Sequence, residues 1–489
     1  MEGGEQNIGG YGQTAAKELH SKFNWFTKKI FQNEIMRSNR GWVKAIADNP
    51  YHFFVHKNSN DWIALNRCKL WGEMSIMVDP GNGANFVAPT ENDIYSIVNN
   101  PFHALWSSVV IKVNGSELEN SSQTDHHWKS YIENKFNISK SFKKNVMNHN
   151  SAWIDDDIGK GDQCGANVMK ETIPNTNWTQ TLWEGEGPIP SRMTPNPEYN
   201  SGFVKRRKNF TRGTVVPFSI PIIHDFMTSG KSFPPNTELE FIFTRTPDSF
   251  VLIQDKNVCA KNLRIVLTNL RLSYDYEVVT PRVQNAHISK SLKSKPTALV
   301  KKNIIKWYTK SEGESDMSKD GLFYTSKNNL PEQIIIFIMP LAQFNGTLGT
   351  NPYYWTSPYE FSEIGLVVNG WYEPSRFLKT TTEAGKLELY HHVLDNIGFG
   401  DQKITSDIPL SYEEFFGGSF MIPFDRTAAK HNGFYTTLPD SGTMDIHLKL
   451  ENDKYLEDTY VVCVYASYTE EIVIDDGNYS FHPLEVNEV

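Results

Sequence analysis

The feature that most constrains this chain is a short stretch that occurs twice. Val109-Val110-Ile111-Lys112-Val113-Asn114-Gly115 is an apolar run closed by Asn-Gly, and Ile364-Gly365-Leu366-Val367-Val368-Asn369-Gly370 repeats it. Asn-Gly suits a type I′ hairpin, in which both central residues need positive φ. Downstream of each copy stands a Phe-x-Ile-Pro string, Phe218-Ser219-Ile220-Pro221 and then Phe420-Met421-Ile422-Pro423. An alternating strand and a more apolar strand follow each string. The order of parts is kept, so the chain reads as a duplicated β-domain. The spacing is not kept, because residues 115 to 218 separate the two motifs in the first half and 370 to 420 in the second.

A chain of 489 residues exceeds what one compact core usually organises, which agrees with two domains. Leu239, Phe241 and Phe243 alternate with polar or smaller neighbours, as do Met444, Ile446, Leu448 and Leu450; this is the pattern of half-buried antiparallel strands. Leu263, Ile265 and Leu267 share one parity and Leu270, Leu272 and Tyr274 the other, so a bulge is expected near Thr268-Asn269. Ile334 to Ile338 is apolar on both parities and reads as a strand covered on both faces. The expected division is an N-terminal arm over 1–41, a first β-domain over 42–280, a linker over 281–300, a second β-domain over 301–478 and a tail over 479–489. The arm carries Leu19, Phe23, Phe26 and Ile30 at helical spacing, flanked by Lys17, Lys22, Lys28 and Lys29, which predicts a short basic amphipathic helix. Within the first domain, about 119–200 is polar and irregular and is expected to be an exposed insertion, with one helix signalled by Tyr131 to Phe136. A second short helix is signalled around Leu387 to Leu394.

Chemistry is harder to find. Asp125-His126-His127 and His391-His392 hold adjacent imidazoles, which point apart on a strand and lie about 100° apart on a helix, so neither pair converges on one metal ion. Asp155-Asp156-Asp157 has the acid density of a calcium loop, but Ala166 stands where an EF-hand needs its closing Glu, and a solvated acidic loop is the preferred reading. Lys205-Arg206-Arg207-Lys208 is the densest basic cluster; a charge-blunted strand edge is preferred over a nuclear import signal. No nucleophile elbow, phosphate-binding loop, dinucleotide fingerprint or HExxH is present, so nothing points to an enzyme, a cofactor or a catalytic residue. The net charge of −9 argues against a dedicated nucleic-acid binder. Four scattered cysteines without a CxxC pair suit a fold that does not rely on disulfides. The first residues, MEGGEQNIGGYGQ, lack the apolar core of a signal peptide, so secretion by that route is not expected.

Several strings together resemble one family. Gly202-Phe203-Val204-Lys205-Arg206-Arg207, Phe218 to Phe226, and Leu239 to Thr244 followed by Arg245-Thr246-Pro247-Asp248-Ser249-Phe250 are similar to a block of the double jelly-roll major capsid proteins of Polinton/Maverick elements, adintoviruses and virophage-like viruses. Ile94 to Glu117 resembles the strand and Asn-Gly turn of their first jelly roll. Pro331 to Gly370, Phe420 to Arg426 and Met444 to Asp475 resemble parts of the second. The resemblance implies an all-β chain of two eight-stranded jelly rolls, with Asn114, Gly115, Asn369, Gly370, Pro221, Pro423, Arg245 and Asp248 as structural positions. It also implies a non-enzymatic major capsid protein in a virion, forming pseudo-hexameric homotrimers that meet neighbouring capsomers, penton and minor capsid proteins. The arm lies outside the resemblance: its preferred reading is a helix docked on its own domain or a neighbouring subunit, contact with an internal membrane or DNA is the alternative, and no sequence-specific nucleic-acid binding is expected. The rival readings are a tandem carbohydrate-binding sandwich, suggested by Trp153, Trp178 and Trp183 in loops, and a minor capsid or penton protein.

Overall fold

A computed structural model describes residues 35–483 apart from short stretches and three longer ones, 160–199, 398–409 and 428–440. The arm helix, Trp178, Trp183, Cys164 and Cys259 therefore lie outside the described residues. The first half contains β1 (Ile35–Lys44), β2 (Tyr51–Val55), β3 (Asp61–Val78), β4 (Tyr95–Ile97), β5 (Trp106–Val113), β6 (Ser116–Glu117), β7 (Val216–Pro221), β8 (Ser232–Phe233), β9 (Leu239–Arg245), β10 (Leu252–Gln254) and β11 (Leu263–Val279). The second contains β12 (Thr297–Lys310), β13 (Lys319–Thr325), β14 (Gln333–Pro340), β15 (Phe361–Val368), β16 (Trp371–Leu378), β17 (Met421–Asp425), β18 (Gly442–Leu450), β19 (Tyr460–Asp475) and β20 (Asn478–Pro483).

The pairing pattern defines the architecture. In the first half one sheet runs β1-β11-β3-β7 and the other β2-β9-β5-β6; in the second half one runs β12-β19-β14-β17 and the other β13-β18-β15-β16. Leaving aside the short β4, β8 and β10, the first half has eight strands in which first pairs last, second pairs seventh, third pairs sixth and fourth pairs fifth. The second half pairs its first eight strands identically, and β20 adds to β19. That nested order is the jelly roll, and the chain holds two of them, here called roll 1 and roll 2. The sheets of each roll close on a core of alternate residues: Leu70, Leu272, Phe241 and Ile111 in roll 1, and Ile336, Val464, Ile446 and Leu366 in roll 2.

Strand order also fixes polarity. Successive strands run in opposite directions, so the second-to-third, fourth-to-fifth and sixth-to-seventh connections lie at one end with the start of β1 and the end of β19. The other connections lie at the opposite end, and these carry the long segments and most of the helices. There lie α1 (Pro101–Ala104), α2 (His126–Asn137), α3 (Lys140–Asn145), α4 (Ser201–Asn209) and α5 (Asp248–Val251) from roll 1. The helix α6 (Pro281–Ser291) joins the rolls, within the stretch expected to be the linker; roll 2 adds α7 (Leu341–Phe344), α8 (Glu383–Asn396) and α9 (Tyr412–Phe416).

Several expectations meet specific geometry. The ladder between β3 and β11 shifts register between Thr268 and Arg271, with Asn269 at φ 53°, which is the bulge that lets the apolar parity change faces. Strand β1 begins at Ile35 and pairs with β11 from there, so the pairing reaches into residues assigned to the arm. The 119–200 insertion is exposed only in part: Phe142 and Val146 stand at the surface, whereas His126 to Ile132 are buried, as are Trp153 and Ile154.

Candidate functional site at the joint between the rolls

Strand β14 shows why the two rolls are one body. Ile334, Ile336 and Ile338 face the core of roll 2, whereas Phe337 and Met339 belong to the cluster shared with roll 1. On β19, Val462, Val464 and Ala466 face inward, and Val461, Cys463 and Tyr465 face roll 1. A sheet covered on both faces needs apolar residues at every position, which accounts for the run Ile334 to Ile338.

Helix α2 supplies the cover. Trp128, Tyr131, Ile132 and Lys135 recur at helical spacing, and all are buried. Trp128 stacks on Phe344 at 5.8 Å and 7°, and meets Phe250 edge-on at 5.1 Å. Tyr131 stacks between Trp153 at 5.2 Å and Tyr353 at 4.1 Å, and Phe337 stacks on Trp355 at 4.5 Å. The Tyr353 hydroxyl donates to the His127 carbonyl at 2.9 Å. Rings from both rolls thus interleave at the end that carries the insertions. Each such ring pair adds about 0.5–1.5 kcal/mol beyond its area burial, so this joint is a core and not a sliding domain contact. Gly346 turns against this cluster at φ 65°, and a Cβ there would lie 2.7 Å from the Phe250 ring.

Buried polar groups fix the register of the joint. Lys129 on α2 pairs with Asp225, which also accepts from the Asn303 backbone N–H at 2.8 Å and its side chain at 3.0 Å, so one carboxylate ties the insertion helix to β12. The Tyr465 hydroxyl donates to Glu133 at 3.3 Å, and burial pushes the Glu133 carboxyl up to about 7. Four buried histidines surround the start of α2. Burial lowers His103 and His127 to about 3 and His224 to about 4, and it holds His126 well below the usual range. They are neutral at physiological pH. Among the described residues no group of His, Cys, Asp or Glu is arranged to hold a metal ion.

The acidic and basic clusters are coupled to each other. The basic run lies on α4, not on a strand edge, and Arg206 is fully buried. Its guanidinium donates to the Ile97 carbonyl at 2.9 Å, to the Ile154 carbonyl and to Asp156 at 2.5 Å. Asp156 also accepts from Asn351 of roll 2 at 2.9 Å, and Asp157 accepts from the Ser201 N–H at 2.7 Å at the start of α4. These acids are structural partners and not a solvated loop. Sequence reasoning missed the pairing because the partners lie far apart in the chain, and a buried arginine inside a basic run carries no local signal. Trp153, offered as an exposed sugar-binding ring, is buried at 1% exposure.

The eight positions singled out in the sequence fall into three constructions. Asn114 and Gly115 join β5 to β6 at φ 50° and 83°, and Asn369 and Gly370 join β15 to β16 at 51° and 84°. The Asn114 carboxamide oxygen accepts from the Glu238 N–H at 3.0 Å, and that of Asn369 accepts from the Thr443 N–H at 2.9 Å. Both turns are thus tied to the next strand of their sheet in the same way. Pro221 and Pro423 lie on β7 and β17, the edge strands of their sheets, where a missing N–H costs no ladder bond. Arg245 donates to Asp248 at 2.7 Å and to the Ile265 carbonyl at 3.3 Å, while Asp248 accepts from the Ile265 N–H at 3.3 Å. That clasp pins the turn after β9 to β11.

The same arrangement exists in solved viral proteins. The chain superposes on a protein in the cryo-EM structure of the Sputnik virophage with TM-score 0.56 and 9% identity, covering 94% of this chain and 91% of that one. The Faustovirus major capsid protein superposes with TM-score 0.52 and 7% identity, covering 94% of each. The shared fold is the double jelly roll. At such identity it is the architecture that is common, and it spans nearly the whole of both chains. No protein-family model and no curated protein matches the sequence.

Proposed function

We propose that this chain is a major capsid protein, assembling as pseudo-hexameric homotrimers into the icosahedral shell of a double-stranded DNA virus or virus-like element. The observation that carries this reading is the pair of rolls with identical strand order, rigidly joined and standing side by side with their longest connections at one end. Three copies in a closed ring present six similar lobes, and a closed ring limits its own size while a six-lobed outline tiles a shell. The end with the long connections would face outward. The end with the termini would face inward, where the basic arm meets DNA, a lipid layer or minor capsid proteins. Neighbouring capsomers, penton and minor proteins are the expected partners, the virion is the location, and the role is structural, not catalytic. Two complete rolls in one chain also favour this reading over a penton, which needs a single roll per subunit.

The test is assembly. Purified protein should be a trimer in light scattering at micromolar concentration, and negative stain should show particles of near-hexagonal outline. A monodisperse monomer at all concentrations, with no assemblies, overturns the proposal.

A further inference from the structure

We propose that the outer wall of β1, β11 and β3 around Trp42, Trp71 and Arg271 is the docking surface for roll 2 of a second copy of this chain, which reaches it with the exposed face of α8. The inference rests on the capsomer reading and names the surfaces that would build it.

Internal equivalence carries the argument. Pro221 pairs with Lys69 and Pro423 with Ile335, so matching the two prolines places Leu70 on Ile336 and Trp71 on Phe337. Carried across the ladders, Leu272 falls on Val464, Arg271 on Cys463 and Trp42 on Ile305. The inward members of this set, Leu70, Ile336, Leu272 and Val464, are all fully buried. The outward members differ. Phe337 and Cys463 are fully buried under α2 of roll 1, whereas Trp42 is 46% exposed and Arg271 is exposed. One wall is covered by the neighbouring roll, whereas among the described residues no roll lies against the equivalent wall.

That open wall is built for contact. Trp42 and Trp71 meet edge-on at 5.6 Å, and the Arg271 guanidinium lies over both rings at 4.8 and 6.0 Å. Tryptophan and arginine together are the residues most enriched at the centres of interfaces. Beside them a groove of about 540 Å³, lined by Trp71, His149, Asn150, Val215, Phe218 and Arg271, can take a projecting side chain. Acids on the wall are already engaged, Asp275 by Arg40 and Glu73 by Asn269, which leaves a basic rim of Lys44, Lys69 and Arg271.

The strand order also identifies the occupant. Helix α2 leaves roll 1 between its fifth and sixth strands, β6 and β7, and covers the wall of roll 2. Helix α8 leaves roll 2 between its own fifth and sixth strands, β16 and β17. It packs Leu389 and Val393 on its own core and turns Glu383, Ala384, Leu387, His391 and Asp395 outward, with Leu387 51% exposed. Leu387 shares that face with Asp395 and with Glu383, which also meets Lys386 at 3.1 Å, and an apolar residue beside acids suits a wall of tryptophans with a basic rim. The contact repeats head to tail from roll 2 to the next roll 1, and with a third of a turn per copy it closes into a ring of three.

Sedimentation of the full chain tests this, with Arg271→Glu and Leu387→Glu as variants at exposed positions and Tyr324→Ser as a control at the opposite end. Each of the two acidic variants should raise the concentration at which the trimer dissociates by roughly tenfold or more, with unchanged circular dichroism, and the control should not. Hydrogen exchange of the unaltered protein gives the same test without substitution: assembly should protect β1, β3 and α8. If the unaltered protein is trimeric but the variants remain equally trimeric and those elements gain no protection, this surface is wrong and the capsid reading stands. If the unaltered protein never associates, the capsid reading itself fails.

Discussion

Two equivalent walls in this molecule have opposite surroundings. The outer face of β14 and β19 is buried by an insertion helix, whereas the outer face of β1, β3 and β11 carries the half-exposed Trp42 and the exposed Arg271. The strands, registers and inward residues correspond, so the difference lies in the neighbours. A duplicated domain keeps its core because the core is internal to each copy; its outer surfaces diverge because each meets something different.

The largest expected effect comes from the covered wall. Replacing Lys129 with Ala leaves Asp225 buried without its cation and should cost about 3–5 kcal/mol of unfolding free energy, measured by denaturant titration. Phe337→Ala should cost a similar ~3–5 kcal/mol, because it empties a fully packed site, and its structural equivalent Trp71→Ala should cost clearly less in the dissociated monomer. Equal losses at these two positions would break the distinction between the walls.

The joint should also be acid-sensitive. His103, His127 and His224 have folded values far below the unfolded value of about 6.5, so stability is fully present above that pH and is lost as pH falls toward 4 and 3. Glu133 has the opposite sign: raised to about 7, it contributes most below about 4.5, and that contribution is lost as pH rises through 7. Thermal midpoints recorded between pH 4 and 8 should therefore fall on the acid side in the parent, and Glu133→Gln should remove part of the loss on the alkaline side. A flat profile would mean that these groups are not desolvated.

The smallest effects should be symmetrical. Asn114→Ala and Asn369→Ala each place a Cβ residue without a carboxamide at positive φ and remove the carboxamide's bonding to the next strand, so each should cost roughly 1–2 kcal/mol. A large difference between the two would show that the hairpins have diverged in role, although their geometry has not.

Much of this fold was legible in the chain. The Asn-Gly hairpins, the edge prolines and the bulge near Thr268-Asn269 are local constructions in which one or two residue types meet a backbone requirement. The double-faced burial of Ile334 to Ile338 was legible for the same reason, since apolar residues on both parities need cover on both faces. What covers them was not legible. Helix α2 lies in a segment whose polarity predicted exposure, and its lysine, glutamate and histidines are buried because distant partners satisfy or neutralise them. Asp156 and Arg206 lie 50 positions apart, and Asp225 and Asn303 lie 78 apart, distances over which no local pattern acts.

The sequence by itself determined the unit: strand periodicity, turn chemistry and the repeated motif order specify a β-domain made twice, because hydrogen-bond geometry and the two-residue period are local rules, and it was the resemblance to a known family that implied the jelly roll. Only the tertiary structure decided how the copies are used. Which wall is buried depends on where the insertion after the fifth strand lands, and that is settled by packing between residues far apart in the chain. The short repeat thus encodes the sameness of the two rolls, and the long insertions encode their difference.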